Sequence, residues 1–145
     1  MPLDRSFVES NNQSLERMRS MAARLSDAEL ATPVGQHWTV AIVFAHLAFW
    51  DRRVQYVLDM TQKDGKLFIP EIDIFVNDLS LPFWQALPVR EAVRIGLESA
   101  EAVNRQLEGF PDPLLVEIAN FSQRWVNRGL HRGEHLDEAD AALRK

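Results

Sequence analysis

Apolar residues recur at steps of three, four or seven along four long stretches of the chain, which is the spacing of amphipathic helices. The first stretch covers residues 3–25, and the second follows Thr39, a suitable N-cap, and ends near residues 62–65. The third covers residues 88–109, and the fourth covers residues 123–143. Four long helices with connections between them predict an all-α four-helix bundle.

The connections are marked by residues that favour turns. Residues 26–27 predict a short capped turn, and Pro33 and Gly35 predict a loop. The stretch KLFIPEIDIFVNDLSLP is ambiguous, because Ile72 and Ile74 alternate as in a strand while other apolar positions keep helical spacing. We expect a short extra helix or an irregular segment there, between the second and third long helices. A shorter apolar segment, LLVEIANF, precedes the last helix.

Composition limits the kinds of site and of partner that this chain can have. The 145 residues fit one helical-bundle domain over residues 1–145. The absence of cysteine excludes disulfides, thiolate catalysis and cysteine zinc sites, which leaves histidine and carboxylate as metal ligands. The net charge of −5, with lysine and arginine dispersed among acids, argues against a nucleic-acid surface. With neither a signal-peptide pattern nor a membrane-spanning stretch, the sequence predicts a cytoplasmic protein that does not bind membranes.

Three of the four histidines form a candidate metal site. His131 and His135 are four residues apart on the predicted last helix and therefore share one face, while His46 lies on the margin of the apolar face of the second helix. Three imidazoles from facing helices can hold one ion and leave a position open for water or substrate. Considered separately, the pair also fits a solvated helix face and His46 a hydrogen-bonded core residue. His37, in the Pro/Gly loop, is interpreted as incidental.

At these histidines the chain resembles members of the DinB-like (YfiT-like) superfamily of four-helix-bundle metalloproteins. Its members carry a histidine after a Trp-Thr pair on the second helix and an H-x-x-x-H pair on the last. The stretch NDLSLPFWQALPVREA also resembles the family's run into its third helix, and the resemblance covers essentially the whole chain. The matching residues are Trp38, Thr39, His46, Leu47, His131 and His135.

The resemblance implies a divalent metal, most often zinc or nickel, held by three histidines or by two histidines and a carboxylate. The matching positions in this chain are His46, His131 and His135. The resemblance also implies a homodimer and a small-molecule substrate. Some relatives use a low-molecular-weight thiol such as mycothiol or bacillithiol as cosubstrate, and many have no known activity. The shared name does not imply a DNA polymerase.

One position departs from the family. After the second histidine of the pair, members often have R-G-Q or a similar run, whereas this chain has Leu136, Asp137 and Glu138. Glu138 lies on the same helical face as both histidines. It is a candidate acceptor that orients an imidazole, or a general base acting on metal-bound water. An ordinary solvated helix charge explains it as well.

Aromatic and arginine side chains complete the candidate site. Trp50, Arg53, Trp84 and Trp125 are the predicted substrate contacts, and Arg124 is a further residue of interest. Aromatic rings and arginines near an open metal would suit an anionic, partly apolar substrate. The alternative is that the tryptophans are core residues and that residues 51–53 form a surface charge cluster.

Three functions follow from these features. The first is a metal-dependent enzyme, a thiol-dependent transferase or a hydrolase acting on a small molecule at the three-histidine site. The second is a metal-binding or small-molecule-binding bundle without turnover, such as a stress-related sequestering protein. The third is a metal-free bundle that acts by dimerisation. The sequence does not choose between the first two because it contains no unambiguous general base.

Overall fold

The computed structural model describes residues 3–145, and in that range it contains eight helices and a two-stranded ribbon. The elements are α1 (Ser6–Arg24), α2 (Asp27–Leu30), β1 (Pro33–Val34), β2 (Trp38–Thr39), α3 (Val40–Asp64), α4 (Phe75–Gln85), α5 (Val89–Glu108), α6 (Asp112–Phe121), α7 (Gln123–Val126) and α8 (Arg128–Leu143). The long helices α3 and α1 each pack on both α5 and α8. This arrangement confirms the predicted four-helix bundle.

Local interactions explain the limits of α3, the longest helix. Thr39 caps its start as predicted, because the Thr39 hydroxyl accepts a hydrogen bond from the backbone N–H of Ile42 at 3.2 Å. Gly65 ends the helix in the left-handed conformation, with φ of +72°. The predicted loop before α3 contains the antiparallel ribbon of β1 and β2. The predicted short helix in the following connection is α4.

The first long helix begins later than its apolar pattern predicts. The pattern predicts a start at Leu3, but helical geometry begins at Ser6. The carboxylate of Asp4 accepts the backbone N–H of Ser6 at 2.9 Å, and Arg5 is not helical. This local side-chain bond replaces the first helical turn.

The predicted last helix, residues 123–143, is wrong in one respect, since it is interrupted at Asn127. That residue has φ of −89° and ψ of 88°, and it separates α7 from α8. The side chain of Asn11 in α1 donates to the carbonyl of Val126 at 2.9 Å. Its oxygen accepts the backbone N–H groups of Arg128 and Gly129. Asn11 therefore satisfies the backbone groups that the interruption leaves unpaired.

A layer of buried polar side chains crosses the core between two apolar clusters. On α3, Leu47 belongs to one cluster, Val54 belongs to the other, and Asp51 lies between them. The same alternation occurs on α1, and on α8 the buried polar residues precede the residues of the first cluster. Buried polar groups need partners: most of these side chains bond to one another across the bundle, and that of Asn11 bonds to backbone groups next to α8 and at its start. The members of this polar layer are Asn11, Ser14, Asp51, Arg128 and Arg132.

Within residues 3–145, none of the helices is both long enough and apolar enough to cross a lipid bilayer.

Candidate metal centre

The structure brings the three predicted histidines together, with their Nε2 atoms facing one another. His46 projects from α3, and His131 and His135 project from α8. The Nε2 atom of His46 lies 3.1 Å from that of His131 and 3.2 Å from that of His135. The potential ligand atoms of all three residues lie within 4.8 Å of one another.

These separations fit a bound metal ion. An ion held at about 2.0 to 2.1 Å by imidazole nitrogens places neighbouring nitrogens about 2.9 to 3.4 Å apart, whether the geometry is octahedral or tetrahedral. The two distances at His46 fall within this range. The donor set, three imidazoles without a thiolate, suits zinc, nickel, iron or copper. The histidine cluster can therefore hold a metal ion.

Aromatic rings fix the position of His46. The ring of Trp38 lies 4.5 Å from that of His46 and 5.6 Å from that of His135, measured between centroids. Trp84 approaches His46 edge-on at 5.6 Å. Trp38 is the residue before the N-cap of α3. In the Trp-Thr pair of the sequence, Thr39 therefore begins the helix and Trp38 packs on its histidine.

The outer nitrogens of the three rings have different neighbours. Nδ1 of His46 is buried without a hydrogen-bond partner among the described residues, and so is Nδ1 of His135. The nearest carboxylate to Nδ1 of His135 is that of Glu138, at 3.6 Å. Glu138 is thus on the side of the ring opposite the shared centre, and it is largely exposed.

His131 has an unusual neighbour for a metal ligand. Nη2 of Arg128 lies 3.1 Å from Nδ1 of His131. A guanidinium can only donate, so Nδ1 is an acceptor in this contact. Metal-bound histidines usually donate this N–H to a carboxylate or carbonyl. Of the three rings, His131 is the one whose coordination requires a change in its surroundings.

Burial keeps the histidines neutral at physiological pH. Burial, together with the nearby His135 and Arg128, lowers the pKa of His46 to about 3, against a smaller raising effect of Asn77. Burial and then Arg128 hold the pKa of His131 far below its ordinary value. Burial also lowers the pKa of His135, against the raising effect of Glu138. Neutral imidazole is the form that binds metals, so His46 and His135 can coordinate as they are, whereas His131 also needs its contact with Arg128 to change.

A cavity of about 450 Å³ opens beside the histidine cluster. All three histidines line it, together with Trp50, Arg53, Arg124 and Trp125. Trp84 does not share this wall. It is buried, packs edge-on against His46 and lines a separate, smaller cavity.

Sequence reasoning missed several residues around this cavity. Asn77, Glu134, Ile72 and Ile74 line it, although the pattern singled out none of them as site residues. The alternative interpretation of residues 51–53 as a surface charge cluster is wrong for Asp51, which is fully buried. The sequence does contain a signal for the burial of Asp51, because this residue is four positions after Leu47 and three before Val54, on the core face of α3.

One comparison with known proteins gives a match. The sequence model of a family described as the mycothiol maleylpyruvate isomerase N-terminal domain matches residues 12–142, a range that includes all three histidines. The chain belongs to this family. Mycothiol maleylpyruvate isomerase N-terminal domains are DinB-like helical bundles, so membership confirms the resemblance noted in the sequence. No curated protein and no solved structure matches the chain.

Proposed function

We propose that this protein is a metal-dependent enzyme that joins a low-molecular-weight thiol to an electrophilic small molecule. The observation that carries the proposal is the convergence of three neutral imidazoles on one point at the wall of an open cavity. The description of the family supports a thiol cosubstrate, because it names mycothiol. With water in place of the thiol, the same site would act as a hydrolase.

His46, His131 and His135 would hold the divalent ion, with zinc and nickel the first candidates. Such an ion, when bound, would lower the pKa of a thiol or water and so supply a nucleophile at neutral pH. The chain itself contributes position and shielding. Trp38, from the cavity wall, and Trp84, from outside the cavity, both pack against the ring of His46 and hold it in position.

The two nearby glutamates have different proposed roles. Glu138 lies at the Nδ1 end of His135, so we assign it the orientation of that imidazole rather than proton transfer in the cavity. Glu134 is the one carboxylate among the described cavity-lining residues. Both of its oxygens accept hydrogen bonds from Arg124, at 2.8 and 2.9 Å, so acting as a base would require this pair to open.

Metal analysis of untagged protein tests the proposal. We expect one divalent ion per chain in the wild type and in His37→Ala, because His37 is exposed and outside the cluster. His131→Ala should lose the metal. Metal well below one ion per chain, unchanged in His131→Ala, would reject the metal site.

A binding protein without turnover is the second candidate. The observation that favours it is the engagement of Glu134 by Arg124, which leaves the cavity without a free carboxylate base among the described residues. Metal-loaded protein incubated with thiols and a panel of electrophiles separates the two functions. Thiol adduct formation that is lost in His46→Ala supports the enzyme, whereas ligand binding without product supports the second candidate.

We further propose that the protein is a cytoplasmic homodimer. Three large apolar side chains follow one another at intervals of four residues on α4, and each is about seven-tenths exposed: Phe75, Leu79 and Phe83. This exposed apolar face supports an interface on α4. Sedimentation equilibrium should show a dimer for the wild type and a monomer for Phe83→Ser. A monomeric wild type would contradict the proposal.

A further inference from the structure

Arg53 is a partly buried cation in the cavity wall, and among the described residues it has no carboxylate partner. Its guanidinium carbon lies 4.7 Å from the ring centroid of Trp50 and 4.7 Å from that of Trp125. Its Nε atom is buried and has no hydrogen-bond partner in the part of the chain described. A buried donor without a partner costs free energy, so this N–H is suited to a ligand that accepts it.

The tryptophans that hold Arg53 are themselves fixed. The indole N–H of Trp50 donates to the side-chain oxygen of Asn77 at 2.9 Å. Trp125 is buried and belongs to the second apolar cluster. Stacking on two fixed rings restricts the guanidinium before any ligand arrives. Less side-chain entropy is therefore lost on binding than for a freely moving arginine.

Arg53 differs from the other arginines near the cavity. Arg124 is paired with Glu134, and Arg128 and Arg132 share Asp51. Burial and the nearby Arg128 lower the pKa of Arg53 to about 10, so it remains charged at neutral pH. The cavity therefore has a positive charge without a counterion among the described side chains, although the whole chain has a net charge of −5.

We propose that Arg53 forms an anion subsite that binds a carboxylate of the small-molecule substrate, beside the histidine cluster. A planar carboxylate can accept two hydrogen bonds from a guanidinium. The surrounding walls are apolar, with Trp50, Trp125, Ile72 and Ile74, which suits a flat or short apolar body attached to that carboxylate. Calling the anion a substrate rests on the proposed function, whereas the subsite itself does not.

Benzoate and its neutral isostere benzamide are suitable probes, because they differ only in the group that Arg53 would bind. Calorimetric titration of the full chain, as purified and after dialysis against a chelator, should show benzoate binding in both samples. Arg53→Gln should weaken that binding by roughly tenfold to a hundredfold, since a charge-assisted hydrogen bond is lost. Arg53→Lys, which keeps the charge but not the planar donors, should be intermediate.

Arg52→Gln is the matched control. Arg52 is the adjacent residue on the same helix and is exposed, so its substitution should leave benzoate affinity unchanged. Benzamide affinity should be the same in wild type and Arg53→Gln, which shows that the cavity remains folded. Equal benzoate affinity in wild type and Arg53→Gln, or no benzoate binding to wild type, overturns the subsite. Benzoate binding is also measured after dialysis against a chelator. A failure of the proposed metal site can therefore be distinguished from a failure of the Arg53 subsite.

Discussion

The carboxylate of Asp51 lies 2.7 Å from Nε of Arg128, and both side chains are buried in the middle of the bundle. The second carboxylate oxygen is 3.1 Å from Nη2 of Arg132. Arg128 also contacts Nδ1 of His131. The histidine cluster is therefore attached to a buried ionic network that joins α3 to α8.

Removing the charge of Asp51 should strongly destabilise the fold. Asp51→Asn leaves two buried arginines without a counterion, so we expect the free energy of unfolding to fall by about 3 kcal/mol or more. Urea unfolding measures this change. Asp59→Asn is the matched control, because Asp59 is an exposed residue of the same helix. It should change stability by about 0.5 kcal/mol or less. Equal losses in the two variants would contradict the role of the network.

Asn11 should be essential for the start of α8. Asn11→Ala removes one acceptor for two backbone N–H groups and one donor to the Val126 carbonyl. The expected loss is about 2 to 3 kcal/mol, with faster amide hydrogen exchange at Arg128 and Gly129. Asn12→Ala, at the exposed neighbouring position, should leave exchange there unchanged. Unchanged exchange in Asn11→Ala would show that the interruption needs no capping side chain.

Two glycines of α8 should respond in opposite ways to alanine. A Cβ atom on Gly129 would meet the side-chain oxygen of Ser10 and lie 2.9 Å from its backbone oxygen. Because that backbone belongs to α1, Gly129→Ala should push the helices apart and cost about 1 to 3 kcal/mol. A Cβ on Gly133 meets nothing within 4 Å, so Gly133→Ala should gain up to about 1 kcal/mol of helix propensity. Thermal unfolding of both variants checks the difference in sign.

The metal-free protein should lose stability in mild acid because of its histidines. The pKa of His46 is lowered from 6.5 to about 3 in the folded state. Between these values the unfolded chain binds a proton that the folded chain does not, so the free energy of unfolding decreases as the pH falls below 6.5. For His46 alone the loss is about 2 kcal/mol between pH 7 and pH 5.

Urea unfolding at these two pH values measures the effect. His46→Gln should reduce the pH-dependent loss, whereas His37→Gln, at an exposed loop position, should show the same loss as wild type. If wild type and His46→Gln lose stability equally between the two pH values, His46 is not the group responsible.

Helical spacing made much of this protein predictable from its sequence. The positions of the four long helices depend on periodicity within one segment, and the shared face of His131 and His135 follows from their four-residue step. The cap at Thr39 is also a local feature. Such properties need no knowledge of distant residues.

Only the tertiary structure decided which polar residues lie inside. Asp51 is buried because α8 brings two arginines to it from positions 77 and 81 residues away. The interruption at Asn127 depends on Asn11, more than 100 residues earlier. The environment of Arg53 depends on Trp125, from a different helix. Contacts between helices satisfy these groups, and periodicity within one helix does not contain that information.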